Sequence, residues 1–497
     1  MVKLKEGMVR AALVVGVILR ILLWAMIPPT TDSCIHYTTA EYIAETGMFP
    51  LFEHAAGTDP FWYPPLFHLS SAVLYKLTGV VTLVPLLAGL MGLVVFAFLV
   101  KRFYPDYANY AIVVFALLPF HMYYSGVGYA TSLLFLWSAV GIYYYLSYLE
   151  TGSVRHLGYF TVAAAAAGLT HYHGLALLIA VLVHLGLRDW RRAAAVGIGC
   201  LLLVSPWYVR NQIVFGNPVW PLLFEGSIGH PDWNSQRYES RLGSLLNPKV
   251  PLTIFLDFWV GAPNSGEDML DNLETGRRYF GPLADVGFIA WLLAVLSLTS
   301  ASLYRPGKLK GLKYGGLVLV VFMVSLVPAL FNSLARMMVV FIPFTPILVA
   351  RGVNDVKFKH KDVLLGVALL VLAGGTLSYA FVYRSIVDDY IPFYDMMREE
   401  IPEGSRVVMP FTVHECLYYT GLDCVRVREF PNSVPPRVYE DMSILLDYGI
   451  DYVCCDRLYW DSKPEEIRGF CNGMPDDRIA FGVGGAGSCW KTSDLFG

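Results

Sequence analysis

Residues 30–71 read TTDSCIHYTTAEYIAETGMFPLFEHAAGTDPFWYPPLFHLSS and form a polar stretch that follows one apolar segment and precedes a long series of others. Its acidic and histidine side chains include Asp32, His36, Glu41, Glu45, His54, Asp59 and His68. Hydrocarbon cannot satisfy such groups, so they must face water or a cavity lined by protein. Asp32 comes directly after Pro28-Pro29, where the first helix must stop. The pattern therefore places the Asp32 carboxylate near the level where a membrane meets water.

The composition indicates a membrane protein. Of 497 residues, 56% are hydrophobic and 15% are charged, whereas a soluble chain carries about a quarter charged residues. The net charge of −3 says little, because charge is divided between the two membrane sides. No basic patch typical of nucleic-acid binding and no zinc-ligand spacing is present, so we expect no nucleic-acid partner. Residues 11–27 lack a small-residue cleavage site and are interpreted as a retained first helix.

Two helices are predicted within the polar stretch. Residues 33–46 have the spacing of a short amphipathic helix in which Ile35, Thr39, Tyr42 and Ile43 share one face. His36 lies one turn beyond Asp32 in this helix. Residues 64–77 are apolar but shorter than the roughly 20 residues that a full crossing needs. They are therefore predicted to form a helix that lies at the outer surface.

The remaining apolar segments predict a multi-pass protein of the cell membrane with about eleven crossings, two of them at residues 107–120 and 282–303. Lys3, Lys5 and Arg10 place the N-terminus in the cytoplasm. In this register the inner turns carry the basic clusters at 101–102, 188–192, 305–313 and 351–361. The large loops 28–79 and 210–281 are then extracytoplasmic, as is the tail. The predicted division is a mainly α-helical membrane domain, residues 1–383, followed by a small α/β domain, residues 384–497.

The tail has the pattern of a small α/β module. RVVMPF, CVRVREF and DYVCCDRL are typical of short strands, and HECLYYTG and PRVYEDMSILLDYG are typical of helices between them, the second ending at Gly449. Six of the eight cysteines lie here, which permits up to about 15 pairings. Cys454 and Cys455 point to opposite faces of one strand, so they should have different partners. Because no C-x-x-C pair occurs, disulfides or buried thiols are favoured over a metal site.

Four stretches together resemble the GT-C fold glycosyltransferases that use polyprenyl-phosphate sugars, the group that contains protein mannosyltransferases and lipid A aminoarabinose transferases. They are DSCIHYTTAEYIAETGMFP with WYPPLFHL, then GLTHYHGL, PWYVRNQIVFGNPVWP and LARMMVVFIPFTPILVARG. The resemblance covers residues 1–381 and implies an inverting transfer of a sugar from a lipid-linked phosphate donor. The acceptor would be a lipid, glycan or protein on the outer face. The acid of the first outer loop is the family's general base, which corresponds to Asp32. Many members have a second acid next to it, where this chain has Ser33.

The chemistry of this transfer suggests further site residues. A departing phosphate needs a cation, and Arg336 is the main candidate, with Arg210 and Arg237 weaker ones; snorkelling or an ion pair would also explain Arg336. The expected substrate-binding side chains are His36, Glu41, Trp62, Tyr63, His171 and His173. Ordinary hydrogen-bonding histidines and an aromatic belt at the interface are the alternatives for several of them. No cofactor is expected; a divalent metal held by Asp32, His36 and Glu41 is chemically possible but is not favoured.

Three other functions stay open. A lipid-linked-sugar flippase or transporter would show inverted repeats and charged or broken helices near the membrane centre, whereas the polar residues collect in outer loops. A membrane anchor with a binding module as its tail would leave the polar first loop unexplained. An oligosaccharyltransferase-like enzyme is expected to carry a D-x-D-type pair in the next outer loop and a W-W-D-Y-G motif in its tail. The corresponding turn reads SGVGYAT, and the tail lacks that motif.

Overall fold

The computed structural model describes residues 6–29, 32–50, 61, 63–216, 218, 286–287, 289–290, 293–294, 297, 314–332, 338–355, 360–410, 412–425, 427, 434–456, 465–483 and 486–496. These residues divide into two compact units. The first comprises Met1–Ile27, Tyr63–Phe67 and Leu83–Val382. The second comprises Pro28–Trp62, His68–Thr82 and Tyr383–Gly497. The second unit thus contains most of the polar stretch together with the tail.

Helices contain most of the described residues before the tail. In chain order they are α1 (Glu6–Met26), α2 (Asp32–Thr46), α3 (Pro65–Thr78), α4 (Leu83–Phe103), α5 (Ala108–Ala116), α6 (Pro119–Gly126), α7 (Thr131–Thr151), α8 (Val154–Thr170), α9 (Leu175–Gly186), α10 (Trp190–Phe215), α11 (Gly315–Asn332), α12 (Thr345–Asp355) and α13 (Lys361–Asp388). Short 3-10 turns at Tyr172–Gly174 and Ile342–Phe344 precede α9 and α12. The predicted helices at 33–46 and 64–77 are confirmed as α2 and α3.

Five helices among the described residues are long and apolar enough to cross a membrane. They are α1 (Glu6–Met26), α4 (Leu83–Phe103), α7 (Thr131–Thr151), most of α10 (Trp190–Val214) and the helical stretch Lys361–Glu400, which begins with α13. Two shorter apolar helices, Tyr172–Gly186 and Gly315–Leu326, accompany them. The number of crossings stays a prediction, since the predicted crossing at 282–303 lies mostly outside the described residues.

One predicted crossing, residues 107–120, is instead two helices. The break follows from Pro119, which has no N–H to donate and disfavours helical backbone at Leu118; Leu118 is extended, with φ −71° and ψ 114°. The fully buried Arg20 of α1 fills the gap. Its Nη1 donates to the Ala116 carbonyl at 2.7 Å and its Nη2 contacts His121 Nδ1 at 2.8 Å. A buried cation thus satisfies a carbonyl at the end of α5.

The tail forms an α/β domain around one mixed sheet. Its elements are α14 (Ile391–Glu400), β1 (Arg406–Val408), α15 (Val413–Thr420), β2 (Asp423–Val425), α16 (Ile444–Asp447), β3 (Tyr452–Asp456), α17 (Glu465–Gly473), β4 (Phe481–Val483), β5 (Gly487–Lys491) and α18 (Thr492–Leu495). The strand order is β2-β1-β3-β5-β4. β1 is parallel to β2 and β3, whereas β5 is antiparallel to β3 and β4.

The three predicted strands are confirmed as β1, β2 and β3, and the helix HECLYYTG as α15. The second predicted helix, 436–449, is a 3-10 turn at Pro436–Tyr439 followed by the single-turn α16. Gly449 adopts a positive φ of 62° just beyond it, which glycine tolerates at no steric cost. The hairpin of β4 and β5 was not predicted, because its sequence FGVGGAGSCW has too few β-branched residues to indicate strands.

Disulfides join two strands of this sheet to each other and two helices to the sheet. Cys454 pairs with Cys489 across neighbouring strands, Cys455 with Cys471 on α17, and Cys416 with Cys424 on β2. Cys454 lies in the apolar cluster on one face of the sheet and Cys455 in the cluster on the other. The prediction that these adjacent cysteines have different partners is therefore confirmed, as is the preference for disulfides.

Candidate active site

α2 carries the predicted base at its first residue. The helix begins at Asp32, as an acidic side chain in a first turn favours. Asp32 is half-buried, while the following residues from Ser33 to Ala40 are buried on all sides of the helix. The predicted amphipathic helix is thus enclosed by protein over its first two turns, and its polar side chains need partners within the protein.

One turn after Asp32, His36 of α2 forms a buried pair with His68 of α3. His36 Nδ1 and His68 Nε2 of α3 are 2.8 Å apart, and the ring of Phe61 meets His68 edge-on at 5.0 Å. One hydrogen bond needs one donor and one acceptor, so this pair shares a single proton between the two facing nitrogens. Asp32 and His36 share a helix face, since they are four residues apart. The structure therefore adds His68 to the candidate site, whereas the sequence indicated this histidine only as one of the polar side chains of the stretch.

The opposite face of α2 packs on the tail helix α15. Burial, followed by the charge of Glu45, raises the pKa of Glu41 to about 7. Burial also raises the pKa of the Cys34 thiol well above its usual value, and Glu415 of α15 and Glu41 add to this. Glu415 itself is buried. On this face of α2, burial thus disfavours the ionised form of Glu41.

A second group of predicted residues comes together in the first unit. His171 Nδ1 accepts from the backbone N–H of His173 and lies 2.6 Å from His173 Nδ1, with the two rings stacked. Because His171 Nδ1 is an acceptor, the proton in that contact belongs to His173. This turn therefore presents a fixed pair of imidazoles at the junction of α8 and α9.

The same turn is connected to the end of α10, which carries Arg210. The Tyr172 hydroxyl accepts from Trp207 Nε1 at 3.3 Å and from Asn211 Nδ2 at 3.2 Å. The Arg210 guanidinium lies 4.7 Å from the centre of the Trp207 ring and donates to Asn211 Oδ1. The motifs GLTHYHGL and PWYVRNQ, which are separated in the sequence by α9 and the first turns of α10, thus form one assembly.

The structure describes only some of the other predicted site residues. Tyr63 belongs to the first unit, and His36 and Glu41 to the second. Arg336, Trp62 and Arg237 lie outside the described residues. Within the described part of the chain, no three His, Cys, Asp or Glu side chains are arranged to hold a metal ion.

The whole chain resembles membrane proteins of known structure. ArnT from Cupriavidus metallidurans in the apo state matches with a TM-score of 0.64 at 13% identity, over 99% of each chain. The same protein bound to undecaprenyl phosphate matches with a TM-score of 0.61 at 13% identity, over 98% of each chain. The oligosaccharyltransferase AglB from Archaeoglobus fulgidus, in complex with an inhibitory peptide and a dolichol-phosphate, matches with a TM-score of 0.56 at 12% identity. That match covers 94% of this chain and 71% of AglB.

Comparisons of sequence add nothing to this. No family model matches the chain, and no curated protein matches it. The likeness in structure extends over nearly the full length, and it includes both the helices and the tail. The neighbours are transferases of lipid-phosphate-linked sugars that have the GT-C fold, and that is the fold of this chain.

Proposed function

We propose that this protein is an integral membrane glycosyltransferase that moves a sugar from a polyprenyl-phosphate donor to an acceptor on the extracytoplasmic side. The observation that carries the proposal is Asp32, a half-buried carboxylate at the start of α2, directly after the first apolar helix of a GT-C fold. Structural neighbours hold undecaprenyl phosphate or dolichol-phosphate, which supports a donor of that class. The disulfides of the tail support its placement in an oxidising, extracytoplasmic compartment.

In the proposed reaction Asp32 acts as the general base. Its carboxylate takes the proton of an acceptor hydroxyl or amine while that atom attacks the anomeric carbon. The bond from the anomeric carbon to the phosphate oxygen breaks, and the polyprenyl phosphate leaves with the bonding electrons. Attack opposite to the leaving group inverts the configuration. A phosphate leaves as a stable anion, so no second carboxylate is needed as an acid, unlike glycoside hydrolysis.

Cationic side chains are proposed to bind the donor phosphate. Arg210 is held by the face of Trp207 and by the Asn211 side chain, which orients a guanidinium for a phosphate. Arg336 is proposed for the same role from its sequence context. His171 and His173 beside the Arg210 assembly, and His36, Glu41, Trp62 and Tyr63 from the first loop, are proposed to contact the sugar or acceptor. The reaction as proposed uses no metal or other cofactor.

The deciding experiment measures transfer with the purified chain in lipid nanodiscs. A panel of undecaprenyl- and dolichyl-phosphate monosaccharides, each with a radiolabelled sugar, is incubated with membrane lipid and glycan acceptors. The proposal expects label to leave one donor and enter an acceptor, with free polyprenyl phosphate as the second product. If no donor is cleaved but a labelled lipid crosses the bilayer of proteoliposomes, the protein is a flippase.

The neighbour AglB, solved with an inhibitory peptide, gives a specific reason to test a protein acceptor as well. An Asn-X-Thr peptide is added to the same panel with a lipid-linked oligosaccharide. Transfer of a whole oligosaccharide to that peptide would identify the protein as an oligosaccharyltransferase and not as a monosaccharide transferase.

A further inference from the structure

One hydrogen bond joins the tail to the entrance of the polar stretch. The Tyr419 hydroxyl of α15 donates to the backbone carbonyl of Pro29 at 2.8 Å, across 390 residues of sequence. Pro29 lies between α1 and α2, three residues before Asp32. Burial raises the pKa of Tyr419, so the hydroxyl keeps its proton and acts as a donor. The chain leading into α2 is therefore held from the tail.

The Tyr419 side chain is held rigidly in the tail. The Tyr419 ring stacks on the fully buried Tyr394 of α14, with centroids 5.4 Å apart and planes within 17°. α15 is also tied covalently to the sheet, since Cys416 forms a disulfide with Cys424 on β2. A hydroxyl fixed by a stacked ring and a crosslinked helix loses little further entropy when it forms its hydrogen bond.

A second contact joins α15 to α2 itself, more than one turn after Asp32. Tyr418, the neighbour of Tyr419, meets the ring of Tyr37 with centroids 6.2 Å apart. Tyr418 also packs against the apolar cluster that Tyr37 forms with Ala40, Ile43 and Ala44 of α2. α15 thus holds the body of α2 through apolar packing and its entrance through the Tyr419 hydrogen bond. Two points of attachment restrict both the translation and the tilt of the helix that begins with Asp32.

We propose that Tyr419 is a positioning residue, whose hydrogen bond to Pro29 fixes the start of α2 and with it the Asp32 carboxylate. The α/β tail is then part of the transfer machinery, since it sets where the base stands. The inference rests on the proposed function for its effect on the reaction rate. Rates of positioned reactions are sensitive to shifts of about 1 Å, so the loss of a single remote hydrogen bond is expected to reduce turnover.

The test compares Tyr419→Phe with Tyr418→Phe in the full chain in detergent. Both variants keep an aromatic ring and lose only a hydroxyl, but only the first loses the bond to Pro29. Hydrogen exchange followed by mass spectrometry is read for peptides covering α2, α7 and the strands of the tail. Tyr419→Phe is expected to speed exchange in the first turns of α2 about two- to tenfold, as the loss of one net hydrogen bond predicts. α7 and the strands should be unchanged, and Tyr418→Phe should resemble the wild type throughout.

The same variants separate positioning from substrate binding. With the donor that the wild type uses, Tyr419→Phe is expected to lower kcat about tenfold at an unchanged KM for the donor. Tyr418→Phe should keep the wild-type kcat. Because a general loss of structure would lower the amount of active protein for either variant, active enzyme is counted by binding of undecaprenyl phosphate.

The outcomes for the inference and for the proposed function are distinct. Unchanged exchange in α2 of Tyr419→Phe overturns the inference, whatever the activity. Faster exchange across all strands of the tail also overturns it, since Tyr419 would then only stabilise its own domain. If the wild type uses no lipid-linked donor while α2 responds as expected, the proposed function fails, but the hold of Tyr419 on α2 stands.

Discussion

At the scale of single residues, Asp32 and Glu41 lie in different surroundings on opposite faces of one helix. Asp32 is half-buried at the helix start, whereas burial and the charge of Glu45 raise the pKa of Glu41 to about 7. Asp32 is the carboxylate that we propose as the base, because it begins α2 directly after the first apolar helix. Glu41 keeps its proposed role as a hydrogen-bonding partner of the sugar or acceptor.

Asp32→Asn keeps the shape of the side chain but cannot take up the acceptor's proton. General-base catalysis contributes roughly 10²- to 10⁴-fold, so sugar transfer should fall by about that factor, while undecaprenyl phosphate binding and folding stay close to the wild type. The matched control is Glu45→Gln, which removes an exposed carboxylate from the last turn of the same helix. If Asp32→Asn transfers sugar at the control's rate, Asp32 is not the base.

The raised pKa of Glu41 predicts a pH-dependent stability. In the unfolded chain Glu41 ionises near pH 4.5, and in the folded chain near pH 7. Its contribution to stability is fully present below about 4.5 and is lost as the pH rises through about 7. Thermal unfolding of the purified protein at pH 5 and at pH 8 measures this. Glu41→Gln should reduce the fall in Tm between the two pH values, and an identical fall in wild type and variant would contradict the assigned environment.

At the scale of elements, the break between α5 and α6 depends on a side chain from a third helix. Arg20 of α1 donates to the carbonyls of Gly16, Ala116 and Phe115 and contacts His121. Arg20→Met would fill a similar volume but leave buried acceptors without their donor. With hydrogen bonds to a charged group contributing about 1.5–3 kcal/mol each, destabilisation of roughly 3 kcal/mol or more is expected.

Thermal unfolding of each variant is measured in detergent by intrinsic fluorescence. Arg10→Met on the exposed face of α1 is the control, because Arg10 makes only a surface pair with Glu6, and such pairs contribute little. Equal melting temperatures for the two variants would show that Arg20 does not support the break.

The sequence predicts those elements whose own residues determine them. α2, α3 and the strand that carries Cys454 and Cys455 follow from local patterns of polar, apolar and β-branched residues. The break between α5 and α6 was not predicted, although Pro119 marks it. The apolar residues before the proline have the composition of a single crossing, and that pattern outweighed the proline. The His36–His68 and Tyr419–Pro29 contacts join distant segments. No local pattern indicates such pairs, so these parts of the candidate site needed the three-dimensional fold.

At the scale of the whole molecule, the proposed function predicts which side of a membrane each part occupies. Asp32 and the tail belong to one compact unit, so we expect them to share a side, and the disulfides favour an oxidising compartment on that side. The basic turn at Lys101-Arg102, which ends α4, should then be cytoplasmic by the positive-inside rule.

Labelling of single introduced cysteines on intact cells tests this arrangement. Ser493→Cys lies at an exposed position of α18 in the tail, and Lys101→Cys lies at an exposed position at the end of α4. The native cysteines give little background, since six are in disulfides and Cys34 and Cys200 are buried. A membrane-impermeant maleimide should react with Ser493→Cys in intact cells and with Lys101→Cys only after permeabilisation. The reverse pattern would place Asp32 in the cytoplasm, where the disulfides would be reduced and extracytoplasmic transfer would be impossible.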